Sequence, residues 1–255
     1  MKNWKNVFKT FGIIAVIAII AFSTIGCGED DGDNGDNGGG GSAFLGDTLE
    51  LSGQVFEEKW NENWTSVSYT NFTGNLELED ELGGSGAITN GMLNYSIGRP
   101  AASYLLPIVD ELDWGEDYNN FTISNEDTKI ARISNLRIKD SDSFYDVRKS
   151  NSTVSLSSSN YTDAWEGVNY YYVDSDVTIS GTGKTQTWEE DDFKETYTTT
   201  NINLALKAGW NAVHSRENWS VTFTGSFDDD WTSVTGTESM SLANPTIRWA
   251  LRIDW

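Results

Sequence analysis

The segment WSVTFTGSF, which spans Trp219–Phe227, alternates between two kinds of residue. Its odd-numbered positions hold aromatic residues, valine or glycine, and its even-numbered positions hold only Ser or Thr. Successive side chains of a β-strand point to opposite faces, so this pattern predicts a strand with one buried and one solvated face. Half-buried strands of this kind are typical of antiparallel sheets.

The same alternation recurs along the chain, between turns rich in Gly, Asn, Asp and Ser. Predicted apolar faces are Leu49, Leu51 and Val55 in TLELSGQVF, Ile202, Leu204 and Leu206 in NINLALK, and Ile247, Trp249, Leu251, Ile253 and Trp255 in IRWALRIDW. Only RPAASYLLPIVDELDW has helical spacing, and its two prolines restrict it to a short helix. We therefore predict an all-β domain, an antiparallel two-sheet sandwich of which a jelly roll is one form, with one short helix.

The first 26 residues have the features of a secretory signal peptide. Lys2, Lys5 and Lys9 precede an uncharged run of twelve residues, Phe11–Phe22, and no acid occurs among them. As a helix this run would be ~18 Å long at ~1.5 Å per residue. A bilayer core is ~30 Å thick, so the run is short for a membrane span and suits the apolar part of a signal peptide.

The sequence TIGC, Thr24–Cys27, resembles the lipobox of bacterial lipoproteins. Gly26 and Cys27 match that motif, whereas Thr24 stands where the family usually has an aliphatic residue. The resemblance implies cleavage before Cys27, a covalent lipid on its thiol, and anchoring to a membrane of the bacterial cell envelope. Which membrane, and which face of it, is left open. The alternative is an ordinary signal peptide followed by a free thiol.

The segment after Cys27, GEDDGDNGDNGGGGS, is acidic, rich in glycine and without large apolar side chains. Such a composition predicts a flexible coil. The sequence therefore divides into a signal peptide at 1–26, the acylated cysteine and a disordered tether at 27–42, and an all-β domain at 43–255.

The chain carries 39 acidic and 17 basic residues, a formal net charge of −22. Phosphate backbones would repel such a surface, which excludes nucleic acid as a partner. The expected partners are the membrane, through the lipid anchor, and either a glycan or another envelope protein.

No catalytic residue and no metal site is predicted, and we expect a protein that is not an enzyme. The single histidine, His214, cannot supply the usual zinc ligand sets. A glycoside hydrolase, which needs only two carboxylates, is kept as an alternative. Three acid clusters lie in predicted turns: Glu79–Glu81, Glu189–Asp192 and Asp228–Asp230. Carboxyls in turns are solvated, whereas a catalytic acid usually needs burial or a like-charged neighbour to raise its pKa. No cofactor is predicted beyond the lipid, and a structural calcium ion between two such loops is left open.

The aromatic residues give the leading binding hypothesis. Sugars present apolar ring faces that pack on flat aromatic side chains, and a β-sandwich can display several such side chains together. We expect Trp219, Trp249 and Trp255 to lie in the core, because they sit on apolar faces. The predicted ligand-binding residues lie in or near turns instead: Trp60, Trp64, Trp114, Trp165, Trp188 and Trp231.

A second alternative comes from the segment IRWALRIDW, which resembles the final strand of outer-membrane β-barrels. That resemblance implies an integral membrane protein with an outward apolar band. Against it, segments such as STVSLSSSN offer few side chains that could face lipid. The soluble sandwich is therefore the preferred prediction.

Overall fold

The computed structural model describes residues 40–41, 43–61, 64–79, 82–111, 121–139, 145–190, 193–225 and 231–253. Strands dominate these residues, and helix is confined to one short region. The predicted fold class, an antiparallel all-β sandwich with a short helix, is confirmed. The signal peptide, Cys27 and most of the tether lie outside the described residues.

The described residues form 21 strands, numbered here in chain order. They are β1 (Gly40–Gly41), β2 (Phe44–Gly46), β3 (Leu49–Trp60), β4 (Val67–Asn71), β5 (Leu76–Glu79), β6 (Ser85–Thr89), β7 (Met92–Ile97), β8 (Leu106–Pro107), β9 (Phe121–Ile123), β10 (Lys129–Ile133), β11 (Leu136–Ile138), β12 (Tyr145–Leu156), β13 (Asn160–Val173), β14 (Val177–Gly181), β15 (Thr185–Glu190), β16 (Phe193–Thr199), β17 (Ile202–Leu206), β18 (Gly209–Phe223), β19 (Trp231–Leu242), β20 (Asn244–Pro245) and β21 (Trp249–Ile253).

The predicted helical segment is more broken than its spacing suggested. A 3₁₀ turn at Ala102–Tyr104 is followed by β8 and then by the α-helix α1, Ile108–Glu111. β8 pairs with β10, and this strand pairing separates the two helical turns. None of the helices in the described part of the chain has the length and apolar character needed to cross a membrane.

Most strands join one large, mainly antiparallel sheet, whose path runs β11-β5-β6-β7-β3-β21-β12-β13-β18-β19-β16-β15. Two of its pairings, β3 with β21 and β16 with β19, are parallel. β11 also pairs with β12, so the seven strands from β11 to β12 form a closed ring of pairings. β12 exchanges partners midway: Tyr145–Lys149 pairs with β21, and Ser150–Leu156 pairs with β13.

The long strands β13 and β18 form the centre of the fold and have a core on each side. Even-numbered residues such as Tyr170 and Trp210 face the first core, which fills the ring and includes Leu49, Leu51 and Val55 as predicted. Odd-numbered residues such as Tyr171 and Val213 face a second core beneath a separate three-stranded sheet, β17-β14-β9. The sandwich therefore gains a third layer over one end of its central strands.

The second core confirms another predicted apolar face. Ile202, Leu204 and Leu206 of β17 are all buried against the central strands, while the residues between them are exposed. Strict alternation over five residues was therefore enough to assign both faces of this strand.

Candidate functional site

The odd-numbered face of β13 and β18 differs between its two ends. At one end it is covered by the three-stranded sheet. At the other end it carries Tyr161, Asp163 and Trp165 on β13, opposite Trp219 and Glu217 on β18. All five are partly buried, and none of them belongs to either hydrophobic core. This open end is the candidate site.

Two glycines allow the indole rings to lie against the sheet. A Cβ atom on Gly167 would lie 2.4 Å from Cζ2 of Trp165, and one on Gly236 would lie 2.4 Å from Cζ3 of Trp219. Each indole therefore occupies the space above a glycine in or next to its own strand. Trp219 also stacks on Tyr197, with ring centroids 5.3 Å apart and an interplanar angle of 25°.

A turn between β3 and β4 adds two more tryptophans. The rings of Trp60 and Trp64 are 5.5 Å apart, and Trp64 is 54% exposed. The Trp64 backbone has a φ of 57°, a left-handed conformation that is uncommon for a bulky residue. Strain of this kind persists only when surrounding contacts fix it, and it clusters at functional positions.

Hydrogen bonds fix this turn. The Asn61 side chain accepts hydrogen bonds from the backbone N–H groups of Thr65 and Ser66, at 2.7 and 2.9 Å. The hydroxyl of Tyr161 donates to the carbonyl of Trp64 at 3.2 Å, which ties the turn to β13. The aromatic face, defined as Trp60, Trp64, Tyr161, Trp165 and Trp219, is thus one connected surface.

The structure brings together only some of the predicted tryptophans. Trp60, Trp64 and Trp165 belong to the aromatic face, whereas Trp188 lies on β15, four strands from β13. Trp231 is partly buried at the start of β19, opposite Phe223. Trp114 lies outside the described residues.

The core assignments of tryptophans need one correction. Trp249 is buried as predicted, but Trp219 belongs to the aromatic face and is absent from both cores. Its ring lies over Gly236, its neighbour across the sheet, and stacks on Tyr197 instead of on a core residue. Trp255 lies outside the described residues, and Trp210, which was not predicted, is fully buried.

Carboxyl groups accompany the tryptophans. The Glu58 side chain is fully buried and accepts hydrogen bonds from the Trp60 indole N–H at 2.8 Å and the Tyr69 hydroxyl at 3.3 Å. Arg148 lies 3.6 Å from the same carboxylate. Among the described residues, the Oδ1 atom of Asp163 is buried without a hydrogen-bond partner.

Burial perturbs three of these acids. It raises the pKa of Asp163 to about 6, with a further contribution from the Glu58 carboxylate. It raises the pKa of Glu217 to about 7, against an opposing hydrogen bond from Trp219. It raises the pKa of Glu238, which accepts a hydrogen bond from Tyr197, to about 9. Glu238 is therefore neutral at pH 7 in the folded protein.

A cleft of about 720 Å³ lies where β12 exchanges β21 for β13. Asn151 pairs with Glu166 and Ser152 pairs with Trp165, so the Asn151 and Glu166 side chains line the cleft from the sheet face opposite to Trp165. Tyr69 connects the cleft with Trp60. Its hydroxyl contacts Glu58, the hydrogen-bond partner of Trp60, and its ring centroid lies 4.0 Å from the Arg248 guanidinium carbon. The cleft lining includes the side chains of Phe56, Tyr69, Lys149, Asn151, Arg248 and Trp249.

Sequence analysis missed the carboxyls because it considered acids in turns. Glu58, Asp163 and Glu217 lie in strands, and each precedes a tryptophan by two residues: Glu58 and Trp60, Asp163 and Trp165, Glu217 and Trp219. Residues two apart in a strand share a face. The repeated acid-x-Trp pattern was therefore a readable signal for this surface.

His214 and the acidic loops do not form a recognisable catalytic or metal site among the described residues. His214 lies 3.3 Å from Glu166, and its neighbour Ser215 is buried on the opposite face of β18. The described residues contain no cluster of three or more His, Cys, Asp or Glu side chains that could hold a metal ion. Most acids of the loops considered for calcium lie outside the described residues.

Comparison of the chain with protein-family models, with curated proteins and with solved structures finds no match.

Proposed function

We propose that this protein is a lipid-anchored protein of the bacterial cell envelope that binds carbohydrate on its aromatic face without transforming it. The observation that carries the binding proposal is Trp64, an exposed indole fixed in a strained backbone conformation beside Trp60. Trp188 is nearly as exposed, so what distinguishes Trp64 is the combination of exposure with a left-handed backbone conformation and the Asn61 hydrogen bonds that fix the turn.

The chemistry of the surface suits sugars. Pyranose rings stack their C–H faces on indole rings, and their hydroxyls donate to nearby carboxyls. Asp163, which is partly buried and has an Oδ1 atom without a hydrogen-bond partner among the described residues, supplies such an acceptor beside the rings. Because the Trp60 N–H donates to Glu58, that indole is held in place with its ring directed toward Trp64.

The test is binding of the full chain, purified in detergent, to a printed array of bacterial and plant glycans. We expect Trp64→Ala to weaken binding about tenfold or more, equivalent to ~1.4 kcal/mol or more. Failure of the wild-type chain to bind any glycan would overturn the proposal.

Trp188→Ala is the matched control. Trp188 is 50% exposed, close to the value for Trp64, but lies four strands from β13, ~19 Å at ~4.8 Å per strand. We expect this variant to bind like the wild type. Equal losses from both substitutions would argue against a local site at Trp60 and Trp64.

The membrane anchor is tested separately by intact mass spectrometry of the mature protein. The proposal expects an N-terminal Cys27 that carries lipid, and Cys27→Ala should release the protein from membranes or leave an uncleaved precursor. An unmodified thiol on the mature chain would contradict it.

Glycoside hydrolysis is the second candidate, because Asp163 and Glu217 interact electrostatically and have pKa values near neutrality. A general acid needs such a pKa. Release of reducing ends from a bound glycan, lost in both Asp163→Asn and Glu217→Gln, would favour this candidate over simple binding. A structural calcium ion in the acidic loops is a separate proposal, testable by the effect of a chelator on thermal unfolding.

A further inference from the structure

Two cations line the cleft without an acidic partner, in a chain whose net charge is −22. Within the described ranges, the Arg248 guanidinium makes no ion pair and no hydrogen bond. The Lys149 ammonium has one hydrogen bond, to Oδ1 of Asn244, and no ion pair among those residues. The chain has 39 acidic residues, yet neither cation pairs with a carboxylate among the described residues, which indicates that both are kept for an external anion.

Aromatic rings hold Arg248 in position. Its guanidinium carbon lies 4.0 Å from the centroid of Tyr69 and 5.6 Å from that of Phe56. These contacts use the faces of the guanidinium and leave the N–H groups at its edge free to bind a ligand. A planar guanidinium fixed in this way binds a carboxylate with two parallel hydrogen bonds.

The acids that also line the cleft are engaged elsewhere. Glu166 lies 3.3 Å from both His214 and Arg216. Glu50 accepts a hydrogen bond from the Ser96 hydroxyl at 2.6 Å. Neither carboxylate therefore neutralises Arg248 or Lys149, and both cations remain available to an incoming anion.

We infer that the cleft binds the carboxylate of an acidic sugar, a hexuronate, whose neighbouring neutral sugars lie on Trp60 and Trp64. Tyr69 makes this arrangement continuous, because its ring contacts Arg248 and its hydroxyl contacts Glu58, the hydrogen-bond partner of Trp60. Asn151 and Asn244 supply amide groups for the hydroxyls of the same sugar. This inference rests on the proposed carbohydrate binding and specifies its ligand.

The charge of the whole chain restricts the ligand further. A densely charged polyuronate would be repelled by the acidic surface, whereas a glycan with one uronate among neutral sugars would meet mainly the local cations. We therefore expect the isolated acid to bind more tightly than the polyanion at low ionic strength.

The test uses pairs of oligosaccharides that each carry one glucuronate, together with the same compounds after reduction of the carboxyl to a primary alcohol. The full wild-type chain in detergent should bind the acidic member at least tenfold more tightly. Arg248→Gln should bind both members of a pair equally, at the level of the reduced compound. Wild-type binding that does not distinguish the two members would overturn the inference and leave the proposed function intact.

Arg99→Gln is the matched control. Arg99 also lies over a tyrosine, 5.9 Å from the ring centroid of Tyr172, but it does not line the cleft. We expect this variant to keep the wild-type preference for the acidic member. An equal loss of preference in Arg99→Gln would show that the effect is a general one of charge, and the cleft assignment would fail.

A second measurement examines the cleft alone. Free glucuronate, titrated in millimolar amounts with glucose as the neutral control, should raise the unfolding temperature of the wild type and not of Arg248→Gln. If glucuronate stabilises only the wild type while no glycan binds to the array, the proposed function fails and the anion site stands. If glucuronate has no effect and the paired compounds bind alike, the inference is wrong.

Discussion

The two ends of one face of β13 and β18 differ in how deeply their side chains are buried. At one end of β13 and β18, Tyr171, Val173 and Val213 are buried beneath the three-stranded sheet. At the other end, Asp163, Trp165 and Glu217 occupy equivalent alternate positions and are only partly buried. Alternation is equally regular at both ends, and the covering layer is what distinguishes them.

This difference separates stability from recognition along one strand. Aliphatic residues at the covered end gain free energy by leaving water, and several β-branched side chains pack there. At the open end, indoles and carboxyls are packed side by side, and acids have raised pKa values. Burying acids without full pairing lowers the free energy of unfolding. We therefore expect the carboxyls of the open end to be retained because they contact a ligand.

The largest expected effect is at the covered end. Leu204→Ala removes a side chain that is 3% exposed in the second core, and should lower the free energy of unfolding by ~2–5 kcal/mol. Chemical denaturation measures this loss. Trp165→Ala at the open end should cost less than half as much. Equal losses would mean that both ends are core, which would break the comparison.

The next effect concerns Glu238, which is 3% exposed at the open end. Folding raises its pKa from 4.5 to about 9, so the folded chain keeps a proton that the unfolded chain loses above pH ~4.5. Stability should therefore fall as the pH rises from 5 toward 9. Glu238→Gln should gain about 1–3 kcal/mol at pH 8 and little at pH 5.

Urea unfolding at the two pH values tests this, with Glu77→Gln, an exposed acid of β5, as the control. A Glu238→Gln variant that gains as much at pH 5 as at pH 8 would show that ionisation is not the cause.

A smaller effect should separate binding from stability at Gly167. The Cβ of Gly167→Ala would push the Trp165 indole off the sheet, because it would lie 2.4 Å from Cζ2. We expect glycan affinity to fall by about tenfold, ~1.4 kcal/mol, while the free energy of unfolding changes by less than ~1 kcal/mol. Calorimetric titration and thermal unfolding of the same variant provide both numbers. Unchanged affinity would remove Trp165 from the binding surface.

The smallest effect is the pH dependence of uronate binding. Burial lowers the pKa of Lys149 to about 8, so its positive charge is present below pH 8 and lost as the pH rises through it. Affinity for the acidic oligosaccharide should fall by about two- to fivefold between pH 7 and 9, a change of ~0.5–1 kcal/mol. Lys149→Met should bind more weakly and show no such decline.

Other charged groups near the cleft are accounted for in that expectation. Burial lowers the pKa of His214 from its usual value, which moves its titration further from the range between pH 7 and 9. The further titratable groups that line the cleft are Glu50, Tyr69, Glu166, Tyr170 and Arg248. A decline that persists in Lys149→Met would assign the effect to one of them.

The sequence was sufficient where a single rule decides the outcome. Alternation identified the all-β fold and the apolar faces of β3 and β17, because a strand that buries one face must repeat every two residues. The partners of those strands could not be predicted, since alternation carries no information on which strand lies beside which. The parallel pairing of β3 with β21 is the clearest example.

The candidate site was only half predictable. Turn position identified Trp60 and Trp64, and Trp165 was included with them. Trp219 was misassigned because a local pattern cannot show whether a second layer covers a face. The cleft was not predictable at all, since Lys149 and Arg248 line it only because β12 changes partners there.

The parallel pair of β3 and β21 has a consequence for the order of events in synthesis. The Trp249 indole donates a hydrogen bond to the carbonyl of Ser52, 197 residues earlier in the chain. Contacts between such distant residues slow folding, because a long loop must close before they form. We expect nascent chains that lack Trp249–Ile253 to remain open and sensitive to proteases. If residues 1–26 are an export signal, as proposed, export would act on a polypeptide whose ring of strands has not yet closed.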